Sequence, residues 1–255
     1  MSISACAIVI PCYNEEHRLP SSEFSKFIGE TDVQFIFVDD GSTDRTASVL
    51  DGLAAEYPSR VAVHRMVQNR GKAEAVREGL LKACAARANY VGFWDADLAT
   101  PLEAILDFRE LLDRRRDIEM VFGARINLLG RAVNRRLVRH YFGRVFATAA
   151  AFTLGFEIYD TQCGAKLFRV TDGFAQRLQS PFIGGWIFDV EMIAREVEAR
   201  RGTSLPPVQS VIYEYPLDVW RDVAGSKISG ADWLRVGFNL CRIWLRYLRR
   251  WPSIS

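Results

Sequence analysis

The chain has 255 residues, of which 49% are hydrophobic and 25% are charged, and its formal net charge is +2. This composition excludes a disordered chain and fits one large α/β domain, or a domain with an appendage, that can bury a sizeable core. A net charge this close to zero also excludes a general electrostatic attraction to one class of partner.

Cysteines and apolar stretches limit the compartment and the membrane topology. The five cysteines are scattered and form no CxxC pair, which argues against a disulfide framework or a zinc site and favours a reducing cytosol. The apolar stretch Ile3–Pro11 has no preceding basic region and predicts a strand rather than a signal peptide. The nearly uncharged stretch Val145–Phe156 is shorter than the roughly 20 residues of a spanning helix. We therefore expect no membrane-spanning segment.

Strand and helix patterns alternate through the first half of the chain. Apolar runs rich in β-branched residues predict strands over Ala5–Ile10, Gln34–Val38, Arg60–His64, Tyr90–Trp94 and Met120–Gly123. Helices are predicted over Thr43–Tyr57 with Ser42 or Thr43 as N-cap, over Gly71–Arg87, and over Pro101–Asp117 with Pro101 in the first turn. This order predicts an α/β fold with a Rossmann-like, doubly wound, mostly parallel sheet. The alternation stops near residue 125, and we expect the rest to form a second, helical and amphipathic lobe packed against the sheet.

Polar clusters follow three of the predicted strands, at Pro11–Glu16, Asp39–Thr43 and Asp95–Thr100. Ligands of such sheets bind at the carboxyl ends of the strands. One carboxylate after the second strand is enough to cap the next helix, whereas the adjacent pair Asp39 and Asp40 also suits the donor groups of a nucleobase or a ribose. Neither a glycine-rich dinucleotide fingerprint nor a P-loop is present.

The Asp95-Ala96-Asp97 segment is the sharper signal. Carboxylates at i and i+2 after a buried strand can turn toward one hard divalent cation, Mg²⁺ or Mn²⁺, with substrate phosphates completing the coordination. The alternative is that the pair caps the helix that begins near Pro101. The other polar strand ends favour the metal site.

Two basic, amphipathic segments lie in the second half. The first, between residues 125 and 144, contains Arg125, Arg131, Arg135, Arg136, Arg139, His140 and Arg144, with apolar residues interleaved and no acidic residue. The second, Asp232–Trp251, combines Trp, Tyr, Leu and Arg. Such composition suits an anionic membrane surface or an anionic substrate. We expect a catalytic domain over residues 1–230 and a membrane-interfacial helix over 231–255. Nucleic acid is disfavoured because the acidic strand ends would repel its phosphates.

Further carboxylates and cations in the second half remain ambiguous from the sequence alone. Asp160, Asp189 and Glu191 each fit a structural role more readily than a catalytic one, since the last two lie at a predicted helix start. Arg221 and Lys227 lie in a polar, loop-like segment, and a mobile basic loop of this kind can clamp a diphosphate.

Taken in order, several motifs resemble family 2 glycosyltransferases. They are Ile8-Val-Ile-Pro-Cys-Tyr-Asn-Glu15, Val38-Asp-Asp-Gly-Ser-Thr-Asp44, Asn69-Arg-Gly-Lys72, Asp95-Ala-Asp97, Phe122-Gly-Ala-Arg125, Asp160–Phe168 and Gly225-Ser-Lys227. Within the family the chain is most similar to the polyprenyl-phosphate sugar transferases, of the dolichyl-phosphate glucose branch before the mannose branch. The resemblance extends from about residue 5 to about residue 230 and implies a GT-A fold and an inverting transfer.

The resemblance also implies roles for single residues. The nucleotide-sugar site would comprise Pro11, Tyr13, Glu15, Asp39, Asp40, Lys72, Asp95, Ala96, Asp97, Arg221 and Lys227. In that set Asp95 and Asp97 would hold the metal, and Arg221 and Lys227 would form the basic clamp. Arg125 and Arg139 resemble arginines that hold the sugar and the acceptor phosphate.

Two departures from the family pattern matter. The mannose branch usually has Gln two residues after the second Asp of the pair, where this chain has Ala99 followed by Thr100. This favours UDP-glucose as the donor, with GDP-mannose and other UDP-sugars behind, and removes one candidate metal ligand. The second departure is the missing membrane-spanning tail, which interfacial helices or a membrane-protein partner would replace.

The predicted reaction is transfer of the sugar to a polyprenyl phosphate at the cytoplasmic face of a membrane. A phosphate acceptor needs no general base, because it is mostly dianionic at neutral pH. A hydroxyl acceptor would need one, and Asp189 or Glu191 would be the candidates. Three alternatives stay open: a family 2 enzyme acting on a glycan or other hydroxyl, a phosphohydrolase using Asp-x-Asp, and a non-catalytic peripheral membrane protein.

Overall fold

The computed structural model describes residues 6–126, 132–133, 137–221 and 230–249. The strands are β1 (Cys6–Cys12), β2 (Gln34–Asp39), β3 (Val61–Arg65), β4 (Tyr90–Trp94), β5 (Met120–Ala124), β6 (Ala132–Val133), β7 (Ala165–Arg169), β8 (Ile212–Pro216) and β9 (Val219–Trp220). The helices are α1 (Ser21–Glu30), α2 (Thr46–Glu56), α3 (Lys72–Ala85), α4 (Ala104–Arg114), α5 (Leu137–Leu154), α6 (Phe174–Arg177), α7 (Phe188–Arg200), α8 (Val208–Val211) and α9 (Gly230–Ile243), which continues into a π-helical turn over Trp244–Leu248.

The main sheet has seven strands in the order β3-β2-β1-β4-β7-β5-β8. All neighbouring strands pair in parallel except β7, which is antiparallel to both β4 and β5. The short strands β6 and β9 form a separate parallel pair. The prediction of a doubly wound, mostly parallel α/β sheet is confirmed.

The prediction that everything after residue 125 forms a second lobe is wrong. Strand β7 inserts between β4 and β5, and β8 extends the same sheet at its edge. Lys166 interrupts the apolar run of β7, and Glu214 interrupts that of β8, so neither segment has the continuous apolar pattern of a buried strand. Gly92 allows the insertion, because a Cβ atom there would lie 2.3 Å from the carbonyl oxygen of Lys166.

Two predicted helix starts also differ from the structure. Helix α2 begins at Thr46, because Ser42 and Thr43 instead bond to Asn14 in the loop after β1. Helix α4 begins at Ala104, after a turn in which the Ala104 amide donates to the Pro101 carbonyl. Both segments use their polar groups to shape loops at the carboxyl edge of the sheet.

Hydrophobic clusters cover both faces of the sheet. On β1, Ala7 and Val9 face the cluster that contains α3, α5, α7 and α9, while Ile8 and Ile10 face the cluster that contains α1, α2 and α4. Burial on both faces explains why these strands are continuously apolar in sequence. Buried residues of α9 such as Leu240 and Ile243 belong to the first cluster. The division into 1–230 and 231–255 stays a prediction.

Among the helices of the described residues, none combines the length and the apolar composition needed to cross a membrane.

Candidate functional site

A cleft of about 450 Å³ opens at the carboxyl ends of β1, β2 and β4. It is lined by Pro11, Cys12, Tyr13, Glu15, Arg18, Asp40, Asn69, Gly71, Lys72, Ala75, Asp95, Ala96 and Asp97. The three polar strand ends thus meet in one place, as expected for a parallel sheet. Most of the residues predicted for the nucleotide-sugar site lie on this cleft.

Asp95 is positioned by Gly164, the residue before β7, and Asp97 by an amide of its own loop. The Asp95 amide donates to the Gly164 carbonyl at 2.9 Å, and Asp97 Oδ1 accepts a hydrogen bond from the Ala99 amide at 3.1 Å. Gly164 lies directly behind Asp95, since a Cβ atom there would come 1.9 Å from Asp95 Oδ2. Burial, and then the negative charge of Asp95, raise the pKa of Asp97.

Lys72 begins helix α3 and reaches into the same cleft. Its Nζ lies 2.5 Å from Asp95 Oδ1. Burial lowers the pKa of this lysine, but the carboxylates of Asp95 and Asp189 outweigh burial, so that the pKa is raised. Lys72 therefore stays charged and places a fixed cation beside the acidic pair, where a diphosphate would need one.

Glu15 adds a third carboxylate to this end of the cleft. Burial raises its pKa, the nearby Arg18 lowers it, and Asp97, Asp44 and Asp95 raise it again. The excess of negative charge at Asp95, Asp97 and Glu15 is the kind that a bound cation relieves.

The acidic pair fits a divalent metal ion. Carboxylate oxygens are the ligands that Mg²⁺ and Mn²⁺ prefer, and Mg²⁺ is commonly held by one or two carboxylates together with substrate phosphates. In the part of the chain that the structure describes, no group of three or more His, Cys, Asp or Glu side chains is arranged to enclose a metal. Two carboxylates leave coordination positions free for the oxygens of a diphosphate, so Asp95 and Asp97 fit such an ion.

Asp39 and Asp40 both support the loops around the cleft. The two carboxylate oxygens of Asp40 accept the amides of Arg70 at 2.7 Å and Gly71 at 2.8 Å. Asp39 Oδ1 accepts the Ser42 amide at 2.9 Å. Only Asp40 lines the cleft, together with Pro11, Tyr13 and Ala96. Contact of Asp39 with a nucleoside stays a prediction, and its hydrogen bond gives it a structural role already.

Glu191 is buried and has no access to a substrate, so the prediction that it could act as a general base is wrong. Its side chain is fully buried. One carboxylate oxygen accepts the amides of Ile183 at 2.8 Å and Gly184 at 2.6 Å. The other accepts Arg195 Nη2 at 2.7 Å and the Tyr247 hydroxyl at 2.9 Å. A carboxylate with both oxygens engaged and no contact with solvent cannot take a proton from a substrate.

Asp189 is also engaged, but it lies nearer the cleft. Its Oδ1 lies 2.6 Å from Lys166 Nζ, and its charge acts on Lys72. Burial raises the pKa of Asp189, and Lys166 and Lys72 oppose that shift. The ion pair with Lys166 holds this carboxylate in place, so any role as a base would require that pair to be broken.

Sequence reasoning missed Lys166. Its side chain is fully buried in β7, with Nζ 5.1 Å from the ring centres of both Phe93 and Phe122. It donates to the Cys163 carbonyl at 2.5 Å and pairs with Asp189. A lysine inside an otherwise apolar strand is the signal, because a buried ammonium needs an acidic partner.

Arg125 is fixed by a bidentate pair at the end of β5. Its Nε and Nη2 lie 2.6 Å and 2.7 Å from the two carboxylate oxygens of Asp160. The Asp160 amide in turn donates to Glu214 Oε1 at 2.8 Å. Burial lowers the pKa of Arg125, but the Asp160 carboxylate outweighs it and the pKa is raised, with a contribution from Asp95. The guanidinium of Arg125 therefore stays charged, and it is near enough to Asp95 for the two charges to interact.

The remaining predicted cations are placed only in part. The Arg221 amide donates to the Ala99 carbonyl at 2.9 Å, and its exposed side chain lines a second cleft of about 430 Å³ beside Pro101 and Asp107. Arg139 lies in α5, but its side chain falls outside the described part of the chain, as does Lys227.

Comparison with known proteins identifies the family. Residues 7–172 match the sequence model of glycosyl transferase family 2. The chain is 33% identical to a dolichyl-phosphate β-glucosyltransferase of Drosophila melanogaster, over 95% of this chain and 75% of the relative. It is 31% identical to the Saccharomyces cerevisiae enzyme of the same name, again over 95% of this chain and 75% of the relative.

Solved structures show the same fold at lower identity. Glucosyl-3-phosphoglycerate synthase from Mycobacterium tuberculosis, in complex with Mn²⁺ and UDP-glucose, superposes with a TM-score of 0.63 at 17% identity, covering 98% of this chain and 81% of that one. A mannosyltransferase from Pyrobaculum calidifontis, in complex with GDP-mannose and Mn²⁺, gives 0.59 at 17% identity, covering 98% and 66%. These likenesses confirm the GT-A fold. With the sequence match and the acidic cleft at the strand ends, they lead to one conclusion: the chain belongs to glycosyl transferase family 2.

Proposed function

We propose that the protein is an inverting glycosyltransferase that moves glucose from UDP-glucose to a polyprenyl phosphate of the dolichyl type. The proposal rests on the convergence of Asp95, Asp97 and Lys72 in one cleft of a chain that is 33% identical to a dolichyl-phosphate β-glucosyltransferase. The coincidence of a diphosphate-binding arrangement with that relative's name favours a nucleotide-sugar donor and a lipid-phosphate acceptor.

On the donor side, Pro11 and Tyr13 line the cleft and would contact the nucleoside, and Lys72 would contact the diphosphate. A divalent cation held by Asp95 and Asp97 would offset the charge that develops on the leaving nucleoside diphosphate. Lys72 contributes to the same electrostatic stabilisation from a fixed position.

On the acceptor side, the lipid phosphate attacks the anomeric carbon of glucose. A bond forms between a phosphate oxygen and that carbon as the bond to UDP breaks, so the configuration inverts and UDP leaves. Arg125, held by Asp160, would orient the acceptor phosphate. The enclosed state of Glu191 and the ion pair of Asp189 both favour an acceptor that needs no general base.

We also propose that the enzyme works at the cytoplasmic face of a membrane, attached peripherally. Large apolar side chains are exposed on α5, on α9 and on the π-helical turn, among them Phe152, Phe238, Trp244 and Leu245. Arg242 and Arg246 are exposed beside them. This combination is typical of a surface that lies in the interfacial region of a bilayer.

The test is transfer from radiolabelled UDP-glucose to short polyprenyl phosphates, with Mn²⁺ or Mg²⁺. GDP-mannose and other UDP-sugars serve as competing donors. A chloroform-soluble product that disappears with EDTA and with Asp97→Asn is expected, and NMR should show a β-linked glucose. Transfer to a sugar or other hydroxyl but not to the lipid phosphate would refute the acceptor and redirect attention to Asp189. Absence of turnover with every donor would refute the proposal that the protein is a glycosyltransferase.

A further inference from the structure

The segment of residues 160–164 connects the two phosphate-binding parts of the proposed reaction. At its start, Asp160 forms the bidentate pair with Arg125, which would orient the acceptor phosphate. At its end, the Gly164 carbonyl accepts the Asp95 amide at 2.9 Å. In the proposed transfer the sugar lies between the leaving diphosphate and the attacking phosphate, because their oxygens approach the anomeric carbon from opposite sides. The segment therefore runs along the place where the sugar would lie.

Gln162 carries the polar side chain in the middle of this segment. It is partly exposed, whereas its neighbours Thr161 and Cys163 are buried. The Gln162 amide donates to Asp160 Oδ1 at 3.2 Å. The side chain donates from Nε2 to Asp189 Oδ2 at 3.4 Å. Because hydrogen bonds of this kind usually measure about 2.7–3.2 Å, the side-chain bond is weak, and a hydroxyl group can replace it at little cost.

Asp189 is held in place beside Gln162 by a buried lysine. Lys166 Nζ lies 2.6 Å from Asp189 Oδ1 and donates to the Cys163 carbonyl at 2.5 Å. One ammonium group thus fixes both the carboxylate and the backbone next to Gln162. The charge of Asp189 also acts on Lys72, which lines the nucleotide-sugar cleft. The pair of Gln162 and Asp189 is therefore rigid on one side and close to the charges of that cleft.

We propose that Gln162, together with Asp189 Oδ2, binds a hydroxyl group of the transferred sugar. The hydroxyl donates to the carboxylate oxygen and accepts from Gln162 Nε2, so it replaces the long hydrogen bond between the two side chains. A carboxylate only accepts and an amide nitrogen only donates, so the pair suits a group that does both. An ionised phosphate only accepts, and Asp189 would repel it. The inference rests on the proposed function and adds a residue that selects among donor sugars.

Gln162→Met tests the inference, because methionine has a similar length and lacks the amide group. Gln34→Met is the matched control, since Gln34 is a partly exposed glutamine at the start of β2, at the opposite end of the strand from the cleft. The donors are UDP-glucose and analogues that each lack one hydroxyl group of the glucose. We measure kcat/KM for transfer to a short polyprenyl phosphate, and calorimetric affinity with Mn²⁺ and without acceptor.

Wild type and Gln34→Met should lose about tenfold in kcat/KM with one of the analogues, because the polar groups that bind the missing hydroxyl then have no partner. Gln162→Met should lose about tenfold with UDP-glucose but little with that same analogue, since the hydrogen bond from Gln162 is already absent there. The affinity of Gln162→Met for UDP, which carries no sugar, should be unchanged. A loss of equal size with UDP-glucose and every analogue, or no loss with UDP-glucose, would overturn the inference.

The affinity measurements separate this inference from the proposed reaction. If no lipid product forms with any donor, the proposed function fails, and the affinities of wild type and Gln162→Met for UDP-glucose and its analogues still decide whether Gln162 binds a hydroxyl. If transfer proceeds and Gln162→Met lowers only the melting temperature, the proposed function stands and Gln162 has a structural role alone. Absence of UDP-glucose binding in wild type would overturn both proposals.

Discussion

Gly164 illustrates how one missing side chain positions a charged one. A Cβ atom at this position would lie 1.9 Å from Asp95 Oδ2, and the Gly164 carbonyl also accepts the Asp95 amide. Gly164→Ala must therefore rotate or displace the Asp95 carboxylate. Because a misplacement of about 1 Å can cost on the order of a hundredfold in rate, we expect kcat to fall by about that factor.

The measurement pairs glucose transfer with Mn²⁺ affinity determined by electron paramagnetic resonance. Gly52→Ala, at an open and exposed position of α2, is the control and should retain both properties. Wild-type Mn²⁺ affinity and wild-type kcat in Gly164→Ala would show that Asp95 is not constrained in this way.

Asp97 shows how the site trades stability for function. Burial and the charge of Asp95 raise the folded-state pKa of this carboxyl. At a pH between the unfolded-state and the folded-state pKa, the folded protein therefore holds a proton that the unfolded chain has released. In the window between the unfolded and the raised folded pKa, stability falls as pH rises, and above the folded pKa the full cost remains.

Asp97→Asn removes this cost and should raise the free energy of unfolding at neutral pH by about 1 kcal/mol, while abolishing transfer. The gain should vanish at acid pH below the unfolded pKa. Urea denaturation without divalent cations, at neutral and at low pH, measures both values. Glu23→Gln, on an exposed position of α1, controls for loss of a charge. A gain that is the same at both pH values would contradict this account.

At the scale of elements, a buried carboxylate joins the C-terminal helix to the helix that carries Asp189. Glu191 on α7 accepts the Tyr247 hydroxyl from the π-helical turn, and Asn239 on α9 donates to the Gly184 carbonyl at 3.1 Å. Ile183 and Gly184, whose amides also donate to Glu191, precede the 3-10 turn Gly185–Ile187 that leads into α7. Helix α9, the π-helical turn after it and the segment that leads into α7 are therefore joined by hydrogen bonds.

Tyr247→Phe removes one hydrogen bond to a buried charged group and should cost about 2 kcal/mol of stability. Urea denaturation gives the value, and hydrogen exchange should show faster opening of the amides of Ile183 and Gly184. Tyr213→Phe, at a half-buried tyrosine of β8, is the comparison and should cost less than about 0.5 kcal/mol. Equal losses of unfolding free energy in the two variants would show that the hydrogen bond to Glu191 adds no stability beyond that of an ordinary tyrosine hydroxyl.

The elements that were predicted well from the sequence are the strands whose residues are almost all buried. Strands β1, β2 and β4 are buried on both faces, so their apolar runs are unbroken and their bounds were predicted to within two residues. Strand β7 escaped detection because a charged residue, Lys166, lies inside it, and the carboxylate that balances its charge, Asp189, lies on α7. Helix α1 was also missed, although the buried residues Phe24, Phe27 and Ile28 recur at helical spacing.

At the scale of the whole molecule, α9 contributes to the same core as the central helices. Val236, Leu240 and Ile243 are buried in the cluster that contains α3, α5 and α7. We expect wild type to unfold in a single cooperative transition. A chain that ends at residue 230 should lose that cooperativity, because it exposes the apolar surface beneath α9. Calorimetry of both chains decides the matter, and a truncated chain with a sharp transition near that of wild type would show that residues 231–255 are an appendage.

The sequence by itself determined the parallel sheet, the three polar strand ends and the acidic pair Asp95 and Asp97, because each depends on residues that are neighbours along the chain. Only the tertiary structure decided that β7 separates β4 from β5, that Lys166 engages Asp189, and that Glu191 is sealed by Tyr247. The partners in the two polar pairs are far apart along the chain. Lys166 and Asp189 are separated by 23 positions, and Glu191 and Tyr247 by 56. A buried charge selects its partner by proximity in the folded core, and local sequence patterns carry no information on that distance.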